Sequence, residues 1–166
     1  GGTPRFMLVA IAIPSTCSTT QIHQLYRGMM QASAPYRVCL VGGDTSASKH
    51  GLFLSITLTG VVRPKRALLR SGARVGDRLY VTGTLGDSRA GLDLLSARRR
   101  RHLSASHTRF LHHRHHRPSA RIAEGRWLVK HGLAGAAIDL SDGLTGDLRH
   151  ICEESSVGAE VMQGAL

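Results

Sequence analysis

The chain has 166 residues, of which 42% are hydrophobic and 20% are charged. This composition supports one hydrophobic core or two small ones, and it excludes a chain that is disordered throughout. The longest apolar stretch, residues 6–14, is too short to cross a bilayer as a helix, so we expect no membrane segment.

The first part of the chain alternates between strand and helix patterns. The predicted elements are a strand over 6–13, a helix over 19–32, a strand over 36–41 and a strand over 52–62. Residues 42–45, Gly-Gly-Asp-Thr, predict a sharp turn that opens backbone N–H groups towards a ligand. Arg63-Pro64-Lys65 is typical of a linker, so we predict a domain over 1–63 and a second over 64–166.

The second part predicts strands and helices joined by glycine-rich turns. The predicted elements are a strand over 77–82, a turn over 83–87, a helix over 88–97, a helix from Pro118 to 131, a strand over 136–140, a helix over 144–154 and a strand over 157–162. Pro118 is expected at the first helical position, and Ser141 and Asp142 are of residue types that cap helices. The order of elements predicts an α+β fold in two linked halves, each of mixed α and β structure.

The positive charge is concentrated in one tract. The net charge is +11, and eight arginines with no acid lie between 98 and 121, which leaves +3 for the rest of the chain. Residues 98–117, which also hold six histidines, could form a nucleic-acid interface, but Phe110 is the one aromatic side chain among them. We favour a solvated, poorly ordered loop and do not expect a nucleic-acid partner. A histidine metal site is disfavoured because the neighbouring arginines would repel a cation.

The cysteines indicate a reducing compartment. Cys17, Cys39 and Cys152 are odd in number and far apart, and none belongs to a Cys-x-x-Cys motif. This pattern predicts reduced thiols in a cytoplasmic protein, and it disfavours a disulfide framework or a zinc knuckle.

Four aspartates stand where a predicted strand or turn ends: Asp44, Asp87, Asp139 and Asp142. Magnesium prefers carboxylate oxygens, and a polyphosphate binds magnesium, backbone N–H groups and a guanidinium such as that of Arg70 together. Each aspartate taken alone is more simply read as the cap of a turn or a helix. Their joint pattern is what favours a magnesium and nucleotide site.

Four motifs occur in a recognisable order. They are 42–45 (Gly-Gly-Asp-Thr), 70–77 (Arg-Ser-Gly-Ala-Arg-Val-Gly-Asp), 80–88 (Tyr-Val-Thr-Gly-Thr-Leu-Gly-Asp-Ser) and 138–144 (Ile-Asp-Leu-Ser-Asp-Gly-Leu). Together they resemble the thiamine-monophosphate kinases, a family in the superfamily of the aminoimidazole-ribonucleotide and selenophosphate synthetases. The resemblance covers nearly the whole chain except the basic tract, and it implies the two-domain architecture of that superfamily.

The resemblance implies a role for each matching residue. It implies ATP contacts by Tyr26, Gly43, Asp44, Arg70 and Ser141, and magnesium ligation by Asp44, Asp139 and Asp142. The implied reaction transfers the γ-phosphoryl group of ATP to thiamine monophosphate, which gives thiamine diphosphate for its biosynthesis. Charge neutralisation by several Mg²⁺ ions and Arg70 would be the main catalytic effect, and no protein nucleophile is expected.

Parts of the family pattern are not found in this sequence. The first four residues contain no initiator Met and lead at once into a strand pattern. The family's further magnesium aspartates and substrate histidine would precede Gly1, and a substrate-contacting acid and aromatic would follow Leu166. We therefore expect an internal fragment that does not complete the reaction alone.

Further expectations and alternatives follow from the resemblance and the charge. The resemblance implies a homodimer for the full-length protein. The alternatives are another ATP-using synthetase of the same superfamily, or a non-catalytic module that binds nucleotide or RNA through the basic tract.

Overall fold

The computed structural model describes residues 1–96, 103–162 and 164, which form two compact units, Gly1–Ala67 and Leu68–Leu166. The mixed α and β structure that the sequence predicts is confirmed. The predicted boundary after Arg63 lies close to the division between the units, and the assignment of each unit as a functional domain stays a prediction.

The first unit is a three-stranded sheet with one long helix. Its elements are β1 (Thr3–Pro14), α1 (Thr19–Ser33), a short 3-10 helix (Ala34–Tyr36), β2 (Cys39–Ser48) and β3 (Phe53–Val61). The strand order is β2-β1-β3, with β2 parallel and β3 antiparallel to β1. Because parallel neighbours need a crossover connection, α1 joins β1 to β2 as a βαβ unit.

The core of this unit lies on one side of β1. Met7, Val9 and Ile11 are 5%, 2% and 2% exposed, whereas Phe6 and Leu8 between them are 51% and 42% exposed. This alternation follows from the two-residue period of a strand. One face of β1 is therefore covered and the other is open.

The start of α1 is encoded locally. The Ser18 hydroxyl accepts from the Gln21 N–H at 3.3 Å, and the Gln21 amide oxygen accepts from the Ser18 N–H at 2.8 Å. This capping box satisfies N–H groups that have no partner inside the helix. Helix α1 was predicted at almost these bounds.

The predicted turn at 42–45 is wrong, because these residues continue β2. The register with β1 shifts by one residue between Met7 and Leu8, where Val41 is the extra residue of a bulge. Gly43 allows the close approach of β2 to β1 here, and the chain does not reverse.

The second unit is helical among its described residues. Its elements are α2 (Asp87–Leu95), α3 (Ala105–His116), α4 (Ile122–His131) and α5 (Leu144–Ser155). The strands predicted over 77–82, 136–140 and 157–162 are wrong. Their residue types favour β structure, but a strand forms only where a neighbouring strand supplies backbone partners, and none does so within the described part of this unit.

Half of the predicted basic loop is a helix. Residues 105–116 form α3, whereas positions 98–102 of the predicted loop lie outside the described residues. The Ser104 hydroxyl caps α3 by accepting from the His107 N–H, and the last turn is basic, which suits the negative end of the helix dipole. The interpretation of 105–116 as a poorly ordered loop is therefore wrong.

Pro118 follows the end of α3 and does not begin α4, contrary to the prediction. The residue before a proline is disfavoured in helical conformation, so α3 ends at His116 and Arg117 has a non-helical ψ of 65°. Helix α4 spans Ile122–His131, and its C-cap Gly132 has a φ of 64°, which suits a glycine. Across the described residues, no helix has the length and apolar character needed to cross a membrane.

Candidate functional site

In the first unit, Gly43 and Asp44 lie where β2 runs beside β1. Gly43 is in register with Val9, and a Cβ added at Gly43 would overlap the Val9 carbonyl group. Only glycine fits this approach of two backbones. The packing of the two strands therefore requires glycine at position 43, whether or not a nucleotide binds.

Asp44 lies on the open face of the sheet. It is in register with Ala10, the neighbour of the buried Val9, and residues that pair across strands share a face. Asp44 is exposed, and its carboxylate forms no ion pair with any described residue. An exposed carboxylate without a cationic partner is free to accept a cation from solution.

Tyr26 contributes to the core of the first unit. It is half-buried on α1 and packs against the cluster of Met7, Val9 and Val38. The ring therefore has a structural role, and the ATP contact that the resemblance implies for Tyr26 stays a prediction.

In the second unit, the segment from Ser141 to Gly143 is held by a carboxylate that sequence reasoning did not single out. Asp147 Oδ2 accepts three hydrogen bonds, from the backbone N–H groups of Ser141, Asp142 and Gly143, each at 3.1 Å. Asp147 is 2% exposed, whereas Ser141 and Asp142 are exposed. The buried carboxylate fixes the backbone of this turn and leaves its outward side chains available.

Ser141 and Asp142 were predicted as helix caps, and this is wrong. The N-cap of α5 is Gly143, and no side chain caps the helix at that position. Asp147 takes over the task from within the first turn of α5, because its carboxylate reaches back to the N–H groups that precede the helix.

The segment around Arg70 is held in a similar way by a hydroxyl group. Ser155 Oγ accepts from the N–H groups of Gly72 and Ala73, both at 3.1 Å, and donates to the Arg70 carbonyl at 2.9 Å. The Arg70 side chain is exposed and forms no ion pair within the described part of the chain. Its guanidinium is therefore available to an anion.

Two segments of the second unit, 69–72 and 135–137, run close together. The Ala137 N–H donates to the Leu69 carbonyl at 2.9 Å. A Cβ added at Gly72 would lie 2.7 Å from the Gly135 carbonyl oxygen, so both positions require glycine. Arg70 and Asp139 thus belong to neighbouring segments of one unit.

The aspartates fit a magnesium ion only in part. Asp139 and Asp142 are exposed, and neither forms an ion pair with a described residue. Hard oxygen donors of this kind suit Mg²⁺, which commonly takes one or two carboxylates and completes its shell with water and phosphate oxygens. Across residues 1–96, 103–162 and 164, no group of three or more His, Cys, Asp or Glu side chains is arranged to hold a metal ion.

Asp87 has a structural partner and a clear local role. Its Oδ2 accepts from the Thr84 hydroxyl and forms an ion pair with Arg114 Nε at 3.1 Å. Both charged side chains are mostly buried, at 15% and 27% exposure. This aspartate closes the turn before α2 and ties α2 to α3, as expected of a capping residue.

Sequence reasoning missed Asp147 and Ser155, which hold the two segments that carry Arg70, Ser141 and Asp142. An acidic residue in the first turn of a predicted helix was a usable signal for Asp147. No sequence signal was available for Ser155, because its partners lie more than eighty residues away along the chain.

Known proteins match the whole length of this chain. The family described as AIR synthase related protein, N-terminal domain, matches residues 1–62. The chain is 37% identical over 166 residues to the thiamine-monophosphate kinase of Bacillus subtilis and 39% identical over 161 residues to that of Escherichia coli K12. These alignments cover 100% and 97% of this chain but 51% and 48% of the relatives.

A solved structure agrees with these relatives. The structure of AaThiL complexed with AMPPCP and TMP matches with a TM-score of 0.82 and 36% identity, and it covers 94% of this chain and 48% of that one. The chain thus spans about half the length of the curated relatives it matches. The chain is therefore similar over its whole length to about half of a thiamine-monophosphate kinase, and its first 62 residues match the N-terminal domain of AIR synthase related proteins.

Proposed function

We propose that the chain supplies ATP-binding and magnesium-binding residues of a thiamine-monophosphate kinase. This enzyme would transfer the γ-phosphoryl group of ATP to thiamine monophosphate and form thiamine diphosphate and ADP. The observation that carries the proposal is the fixed turn at Ser141–Gly143, which exposes the carboxylate of Asp142, a side chain with no ion pair to any described residue. The relatives of this chain are thiamine-monophosphate kinases, which supports this reaction over that of another synthetase.

The proposed mechanism is positioning and charge neutralisation. Arg70 would bind the phosphates of ATP through its exposed guanidinium, and the Ser141 hydroxyl would donate to a nucleotide oxygen. Asp44 would hold Mg²⁺ in the first unit, and Asp139 and Asp142 would do so in the second; bound Mg²⁺ would neutralise the phosphate charge that opposes the approach of two anions. The phosphate of thiamine monophosphate is itself the acceptor, so no side chain of the chain needs to act as nucleophile.

The site in the first unit would contribute through the sheet. Because Gly43 is fixed against Val9, the neighbouring Asp44 has a defined position on the open face. Because strand pairing already fixes the backbone of Asp44, this metal-binding residue loses little conformational freedom when a cation binds. Tyr26 lies on α1 at the covered side of the sheet, so its ATP contact would be made from the side opposite to the face that carries Asp44.

Magnesium-dependent ATP binding tests this proposal. Calorimetric titration of the chain with ATP should give binding that requires Mg²⁺, and Asp142→Asn should weaken it about tenfold or more because a charged ligand is lost. Asp93→Asn is the matched control, since Asp93 is a carboxylate on α2 that pairs with Arg89 on the surface. The proposal would be contradicted if ATP binding did not depend on Mg²⁺, or if both substitutions changed ATP affinity equally.

The quaternary structure and cellular location are part of the same proposal. A homodimer of the whole protein is supported by the open face of the first sheet, where Phe6, Leu8 and Phe53 are 51%, 42% and 63% exposed. A cytoplasmic location is supported by the three free cysteines Cys17, Cys39 and Cys152. Light scattering on the whole protein measures the oligomeric state, and a monomer at all concentrations would contradict the dimer.

A nucleic-acid function receives no support from α3. Arg114 is engaged by Asp87, and α3 packs against α2 along Gly91, which is buried. Residues committed to internal contacts are not available to a phosphate backbone. The basic helix is better explained as a structural partner of α2.

A further inference from the structure

Helix α5 contacts two separate segments of the second unit, one near each end of the helix. Near its start, Asp147 accepts from the three N–H groups of Ser141, Asp142 and Gly143. At its last residue, Ser155 bonds to Arg70, Gly72 and Ala73. These two segments carry Arg70, Ser141 and Asp142, three of the four candidate site residues of this unit.

The contacts of Asp147 commit one of its carboxylate oxygens to the turn. Its Oδ2 is already shared by three donors at 3.1 Å, and the residue is 2% exposed. A charged acceptor makes these hydrogen bonds stronger than neutral ones, and a buried carboxylate that lost them would be strongly destabilised. Asp147 therefore acts on the turn through Oδ2.

The contacts of Ser155 define the backbone of the Arg70 segment. Its oxygen accepts from two consecutive N–H groups and its hydroxyl donates to the carbonyl of Arg70 itself. The hydroxyl group thereby uses its full donor capacity and two acceptor sites. A side chain bonded to both sides of a tight segment restricts the backbone from which Arg70 projects.

We propose that Asp147 and Ser155 are positioning residues for the nucleotide site, and that α5 is the rigid element that sets the two segments relative to each other. The inference rests on the proposed function, which it deepens by separating two tasks. Asp147 acts through Asp142 and Ser141, so it governs the magnesium requirement. Ser155 acts through Arg70, so it governs affinity for the phosphates of the nucleotide.

Asp147→Asn tests the first task. The variant keeps the shape of the side chain but removes its charge, so the backbone N–H groups of 141–143 should exchange with solvent about tenfold faster. The Mg²⁺ concentration that half-saturates ATP binding should rise about tenfold, as is common for residues that orient metal ligands. ATP affinity should recover at high Mg²⁺. Glu153→Gln is the matched control, because it removes an exposed acid from the same helix.

Ser155→Ala tests the second task. It should accelerate exchange at Gly72 and Ala73 and weaken ATP binding about tenfold at every Mg²⁺ concentration, with no recovery when Mg²⁺ is raised. Ser155→Thr, which keeps the hydroxyl group, should restore both exchange and affinity. This pattern differs from that of Asp147→Asn, and a general loss of stability would not produce it.

The outcomes separate this inference from the proposed function. If the unaltered chain does not bind ATP with Mg²⁺, the proposed function fails, and so does the nucleotide part of the inference. Amide exchange still shows in that case whether Asp147 and Ser155 hold their segments. If ATP binds but both variants change the same parameter, or exchange accelerates across the whole unit, α5 only stabilises the fold. Unchanged exchange at 141–143 in Asp147→Asn would overturn the assignment of Asp147 directly.

Discussion

The first unit, Gly1–Ala67, and the second, Leu68–Leu166, hold their candidate site residues by different means. In the first, Gly43 and Asp44 belong to a strand, and the backbone ladder with β1 fixes them. In the second, Arg70, Ser141 and Asp142 lie in irregular segments, and single side chains of α5 fix their backbones.

The difference predicts where each unit is sensitive to substitution. A strand is held by many equivalent backbone bonds, so it fails only when a side chain prevents the approach of its neighbour. An irregular segment depends on a few specific groups, so the loss of one hydroxyl or carboxylate has a local effect. Substitution of Gly43 tests the strand of the first unit, and substitutions between α2 and α3 test specific side-chain contacts of the second.

The largest effect is expected at Gly43. Gly43→Val should cost about 3 kcal/mol of unfolding free energy, because any Cβ there overlaps the Val9 carbonyl and separates β2 from β1. Gly28→Ala is the matched control, since a Cβ at Gly28 meets nothing within 4 Å. Chemical denaturation followed by circular dichroism measures both. The control should be neutral or stabilising by up to about 1 kcal/mol, as expected for alanine in a helix.

An intermediate effect is expected between α2 and α3. Gly91→Ala raises helix propensity, but the new Cβ would meet the Leu111 carbonyl and lie 2.9 Å from His115 Cβ. The crowding should outweigh the gain and destabilise the second unit by about 1–2 kcal/mol in denaturant titrations. A stabilised Gly91→Ala would show that α2 and α3 do not pack as described.

The smallest effect is the difference in stability lost when a partly buried ion pair and an exposed one are broken. Arg114→Gln breaks the pair with Asp87 and should cost about 1 kcal/mol, because the remaining carboxylate is mostly buried. Arg149→Gln removes the equivalent exposed pair with Glu153, whose side chains are 70% and 60% exposed, and should change stability by less than about 0.5 kcal/mol. Equal effects in thermal unfolding would contradict the burial of Asp87.

Much of the first unit could be predicted from the sequence. The alternation of buried and exposed residues in β1 and the Ser18 capping box of α1 are local patterns with periods that the sequence displays directly. The glycines at 42–43 were also recognised as special. Their meaning was misread, because a turn and a close pair of strands both select glycine.

The second unit was harder to predict. Residues 77–82, 136–140 and 157–162 have β-type composition, yet none forms a strand, since β structure depends on partners that the local sequence does not specify. The helix over 105–116 was missed because its run of arginines and histidines was interpreted as a solvated loop. Its cap at Ser104 and its packing on α2 decided the outcome.

The sequence by itself determined the family resemblance and the identity of the candidate site residues, because both depend only on motif residues and their order along the chain. Only the tertiary structure decided which groups hold those candidates in place. Ser155 lies more than eighty residues from the segment that it anchors, and Asp147 matters because it is buried beneath the turn that it binds. Contacts of this kind arise from chain folding, and no local propensity encodes them.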